Sequence, residues 1–174
     1  DEAREIVREL EKRIKDIEDR ARKLIRELEK SLEDLKRRVE EMLREWEEES
    51  KELERRNVPR ERVKEVKEKS DEKVTRIREE LKKVNEENER RLREIEEELK
   101  KLAREMEKRL EEARDKIDRE KVKEIKKRLD ELLKRIEDEL RRIREEDKRI
   151  HDEVEKELRK LERRDEELLK RLED

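Results

Sequence analysis

An all-α fold, an antiparallel up-down-up bundle of three long helices, is what this sequence predicts, and three observations carry the expectation. Apolar residues recur in steps of three and four, the spacing that puts side chains on one face of a helix with 3.6 residues per turn. Within each of three segments the pattern returns to the same phase every eighteen residues. The phase breaks at two places, and the two breaks resemble each other.

Composition sets the limits within which this pattern acts. Of 174 residues, 67% are charged and 28% apolar, against roughly 25% charged in an ordinary globular domain. The 57 basic residues nearly cancel the 60 acidic ones, leaving a net charge of −3, and a chain with balanced charge is not driven to disorder by repulsion. Glycine, cysteine, phenylalanine and tyrosine are absent, while the strong helix formers Leu, Glu, Lys and Arg dominate. Without cysteine there are no disulfides and no thiolate metal sites, and the compartment stays open. No apolar run exceeds two residues, as in Ile6-Val7 or Leu132-Leu133, which leaves neither a membrane span nor a signal-peptide core. Acidic and basic residues are interleaved, so no basic face tracks phosphates, and Trp46 alone could stack on a base. The expectation is a monomer with no nucleic-acid, membrane, cofactor or metal partner.

The first segment reads Ala3, Ile6, Leu10, Ile14, Ile17, Ala21, Leu24/Ile25, Leu28, Leu32, Leu35, Val39, Met42/Leu43, Trp46, Ser50, Leu53, one helical stripe over about residues 2–56. A heptad started at Ala3 fails at Ser31, Arg38, Glu45 and Glu52, whereas eighteen-residue steps join Ile6, Leu24 and Met42, and likewise Leu10, Leu28 and Trp46. Eighteen residues make five whole turns, so the stripe keeps its azimuth without the drift of about 20° per heptad that forces supercoiling. The helices are expected to be straight.

A turn at 57–59 follows. Pro59 lacks a backbone donor and fits only a first turn, and Asn57 suits the left-handed residue that ends a helix. The second helix covers about residues 60–115, with Val63, Leu81 and Leu99 one repeat set and Ile77, Ile95 and Ala113 another. After a turn at 116–118, Asp118 can cap the third helix, about residues 119–173, where Val122, Leu140 and Leu158 repeat alongside Ile136, Val154 and Leu172. Turns this short lay each helix beside the last, and about 55 residues at 1.5 Å each give a length of about 80 Å. The whole chain is expected to form one domain. On the outer faces, Glu11 with Lys15, Glu33 with Arg37 and Glu155 with Arg159 are spaced for pairs of about 0.2–0.5 kcal/mol.

Nine residues are Ser, Thr, Asn, His or Trp, and they carry the remaining information: Ser31, Trp46, Ser50, Asn57, Ser70, Thr75, Asn85, Asn88 and His151. Folding the chain at its turns places residues of helices 1 and 2 side by side when their numbers total about 117, and those of helices 2 and 3 when they total about 235. By that rule Trp46, Ser70 and Asp165 share one layer, and Asn85, Asn88, Asp147 and His151 another. Asp147 and Asp165 take the repeat position of Leu129, Ser70 and Asn88 that of Met106, and His151 that of Leu133 and Leu169. An unpaired buried carboxylate is costly, so Trp46 or Ser70 is expected to serve Asp165, and Asn88 and His151 to serve Asp147. Three roles are open to these layers: fixing helix register, holding a ligand or metal, or responding to pH through His151. One His and one Asp beside amides make a poor zinc set. No nucleophile has a nearby base and no glycine-rich loop exists, so no catalytic residue is identified and no enzyme is expected.

The repeat, the near-duplicate turns Val58-Pro59-Arg60-Glu61-Arg62-Val63 and Ile117-Asp118-Arg119-Glu120-Lys121-Val122, and the restricted alphabet resemble computationally, parametrically designed straight three-helix bundles built on an eighteen-residue repeat. That resemblance covers the whole chain and implies a monomeric, unusually stable scaffold without natural activity. The polar layers depart from an all-apolar designed core. The other reading is a natural spectrin-like rod or coiled-coil spacer, which would use Gln, Ala and Ser more freely on its surface.

Overall fold

The computed structural model describes residues 1–55 and 58–173. Among them the chain forms three helices and no strand: α1 (Glu2–Glu52), α2 (Arg60–Ala113) and α3 (Arg119–Glu173). The protein is a three-helix bundle.

Helix ends follow from where the terminal amides and carbonyls find partners. Past Glu52 the chain tightens, with Leu53, Glu54 and Arg55 amides donating to the carbonyls of Ser50, Lys51 and Glu52 at 3.1, 3.1 and 3.4 Å. These three-residue bonds take up the last carbonyls of α1, which ends at Glu52. The expectations for Arg56 and Asn57 lie outside the described residues, as does the side chain of Leu172. Pro59 stands immediately before α2, and its carbonyl accepts from Arg62 and Val63 at 3.0 and 3.2 Å. Lacking an N–H, it sacrifices no helical bond there. At the second connection the Lys116 amide reaches the Ala113 carbonyl at 2.9 Å, and α2 ends at Ala113 rather than 115. Asp118 opens α3 on both fronts: its carbonyl accepts from Val122 at 3.0 Å, and its Oδ1 accepts from the Glu120 amide at 3.4 Å.

Contacts divide the chain into two compact units, each with a stretch of all three helices. The first comprises Asp1–Lys30 and Asn88–Arg144, and the second Ser31–Glu87 and Glu145–Asp174. In the first, Leu10, Leu28, Leu92, Met106, Ile125 and Leu129 are almost wholly buried. In the second, Leu35, Val39, Trp46, Ile77 and Leu158 are. Each such leucine contributes about 1.5–3 kcal/mol by leaving water.

In several sets of residues eighteen apart, the members share their depth. Leu10, Leu28 and Trp46 are at most 1% exposed, and Ser70, Asn88 and Met106 at most 2%. Leu129, Asp147 and Asp165 are all buried, while Leu133, His151 and Leu169 are all half-buried. In these sets the polar residues are buried or half-buried as their apolar counterparts are.

Charged side chains link neighbouring helices within each unit. In the first, Arg109 of α2 grips Glu9 of α1 through two bonds of 3.1 and 3.0 Å, and Arg20 reaches Glu98 at 2.9 Å. These pairs advance along α1 as they retreat along α2. In the second, Arg38 meets Glu80 at 2.7 Å, a pair whose numbers have the same total as the other two. Between α2 and α3, Arg144 meets Glu96 at 2.6 Å in the first unit, and Arg78 meets Glu155 at 2.8 Å in the second. Two carboxylates assigned by spacing to partners on their own helix also meet cations on another. Glu11 lies 3.4 Å from Lys121 of α3, and Glu155 keeps its pair with Arg159 at 3.8 Å while lying nearer Arg78 of α2. An acid at the edge of the apolar stripe sees cations on two helices.

Candidate functional site

Buried polar side chains, not surface clefts, are where this molecule departs from a simple apolar bundle. They arise from the same stripe that makes the core: a position that faces inward by its helical phase carries Ser, Asn or Asp in place of Leu or Met.

The second unit holds the better-defined group. Trp46 of α1, Ser70 of α2 and Asp165 of α3 converge, and the Trp46 Nε1–H donates to Ser70 Oγ at 2.7 Å and to Asp165 Oδ2 at 3.1 Å. The indole is 1% exposed, so its donor has no access to water and must be served internally. Ser70 is small enough to leave room for the ring at a position where the equivalent repeat of the first unit carries Met106. Ser50, one turn beyond Trp46 and fully buried, joins the same group. Its Oγ makes no hydrogen bond of ordinary geometry, yet it lies close enough to Asp165 to steady the carboxylate. Burial pushes the Asp165 carboxyl above the usual aspartate range. Ser50, Trp46, Ser70 and the neighbouring Arg164 oppose that rise without cancelling it. Ser50 was visible on the stripe of α1, and its spacing of four from Trp46 was the signal that it shares the layer.

Asp147 and His151 lie one turn apart on α3 in the second unit, with His151 Nε2 at 3.5 Å from Asp147 Oδ1. That is ion-pair range but longer than the about 2.7–3.2 Å of a good hydrogen bond. The histidine side chain is 23% exposed and sits at the edge of the stripe, not inside it. Asn88 is buried in the first unit. Asn85 does not join any buried layer: it is exposed. Buried Val84 precedes it, and one residue turns a helix by about 100°, so Asn85 has the expected height but points outward. Ser31 is half-buried and Thr75 exposed.

No protein-family profile and no curated protein matches the sequence. Among solved structures, the chain is similar to a computationally designed three-helix bundle. The two share 20% identity over 98% of this chain and 83% of that one, with a TM-score of 0.40.

Among the described residues, no group of three or more His, Cys, Asp or Glu side chains could hold a metal ion. No helix there is long and apolar enough to cross a membrane. Concavities are grooves between charged side chains. One of about 670 Å³ lies at the α2–α3 connection beside Leu110, Ile117 and Val122, and another of about 490 Å³ runs between α2 and α3 beside Ala103, Leu133 and Ile136. Neither contains a nucleophile with a base, and the Trp46 group opens into neither.

Proposed function

We propose that the chain is a designed structural scaffold without catalytic activity, whose buried polar groups fix the register of its helices. The observation that carries this reading is the shared Trp46 donor, because one N–H meeting acceptors on two other helices is satisfied at a single alignment. An apolar stripe with an eighteen-residue period could slide by one repeat and still bury leucine against leucine. A slipped alignment would leave the Asp165 carboxylate and the indole N–H without partners, at a cost of about 1–3 kcal/mol for each neutral group and more for the charge. The shared burial of Leu10, Leu28 and Trp46 supports the same period, and with it helices that run without supercoiling.

The test replaces Trp46, Ser70 and Asp165 together by leucine. Loss of unique register would appear as broadened or doubled amide resonances, or as oligomers in light scattering. If the variant remains a monomer with one sharp set of resonances, the register role is wrong, whatever its stability.

A further inference from the structure

We propose that the second unit contains a proton-linked brace: Asp165 takes up a proton as the chain folds, and the neutral acid is the form that its layer accommodates. The inference does not depend on the register role.

The geometry is a buried carboxylate that is incompletely satisfied. Asp165 Oδ2 shares the Trp46 N–H, at 3.1 Å, with Ser70 Oγ, which holds the same hydrogen at 2.7 Å. Asp165 Oδ1 is buried and makes no hydrogen bond of ordinary geometry, and the same is true of Ser50 Oγ. Among the described residues, the cation that acts on the carboxyl is its chain neighbour Arg164. The nearby acids are Glu49 of α1, bound to Lys73 of α2 at 2.7 Å, and Glu54 just past the end of α1, bound to Arg164. On α3, Glu162 is engaged by Arg78 of α2 at 3.1 Å. Arg164, the chain neighbour of Asp165, is thus already paired with Glu54 and only weakly compensates a second acid. Toward the chain reversal the layer is closed by apolar side chains, with buried Leu53, Val63 and Val66 against Leu168. A proton taken from solvent onto Asp165 removes a buried charge and gives its carboxyl an O–H to place against a neighbouring oxygen. Burial raises the carboxyl of the folded chain above that of the unfolded chain, and between those two values the folded form binds more protons. Stability from this group is therefore full in acid and falls as the pH rises through the folded value.

Urea denaturation followed by helical circular dichroism, in the unaltered protein and in Asp165→Asn, tests the idea. At neutral pH the variant is expected to unfold at higher urea than the unaltered chain, and the gap should close on moving into acid. A gap that is constant, or reversed, overturns the proposal. The carboxyl carbon of Asp165 in the unaltered protein provides a reading independent of the variant. Its NMR titration midpoint should lie above the ordinary aspartate range, and a midpoint within or below that range overturns the proposal equally.

Discussion

Replacing Ser70 by alanine removes the oxygen that holds the Trp46 indole at 2.7 Å. Two effects of opposite sign follow. Loss of the hydroxyl costs about 1–1.5 kcal/mol, since the Trp46 donor keeps Asp165 Oδ2 at 3.1 Å and is not orphaned. Alanine is the better helix former by about 0.5 kcal/mol, which returns part of that. The expected net loss is about 0.5–1 kcal/mol, too close to background to interpret alone. A double-mutant cycle with Trp46→Phe cancels the helix-propensity contribution, because it appears in both backgrounds. If the shared N–H is what couples the two positions, Ser70→Ala costs about 0.5–1.5 kcal/mol less once Trp46 is phenylalanine. Urea denaturation followed at a helical wavelength measures all four corners. A coupling indistinguishable from zero would show that the Trp46–Ser70 bond contributes nothing, and the account of this layer given above would fail with it.

Two further perturbations test other parts of the structure. Asp118→Ala should cost about 0.5–1 kcal/mol by removing the side-chain cap on the Glu120 amide, with Asp118→Ser recovering most of it in the same denaturation assay. At the first unit, the hydrogen-bonded Arg109 guanidinium holds the Glu9 carboxyl below its usual range against a small opposing effect of burial. A lowered folded value means stability that is present above the unfolded value and lost as the pH falls through the folded one. Glu9→Gln should therefore be less stable than the unaltered chain at neutral pH and equal to it in strong acid. A difference that persists in acid would remove the ion pair as its cause.

The sequence and the structure agree most where one physical constant governs the answer. The rise per residue of a helix is fixed, so counting back from two short connections brought Trp46, Ser70 and Asp165 together across three helices, and hydrogen bonds join them. Asp147 and Asp165 are buried, as Leu129 is. Height does not determine azimuth, and that is where Asn85 was misplaced: it totals correctly with His151 but lies one residue, about 100°, from the buried stripe. His151 shows the intermediate case, a flank position whose leucine counterparts are also only half-buried. Helix ends were legible to within a few residues through Pro59 and Asp118, but the tightened final turn of α1 leaves no mark in residue type. Glu11 and Glu155 have suitable partners both along their own helix and across to another, and spacing alone does not rank a flexible exposed pair against a cation on the facing helix.

Trp46 is the one aromatic residue in the chain, and it sits in the second unit. Near-ultraviolet absorption and intrinsic fluorescence therefore observe that unit alone, while helical circular dichroism sums over both. Nature's usual ambiguity about which tryptophan is being watched does not arise. Melting curves from the two signals that coincide would describe one cooperative transition. Curves that separate would measure, without any label, how far one half of the chain can lose its structure while the other keeps it.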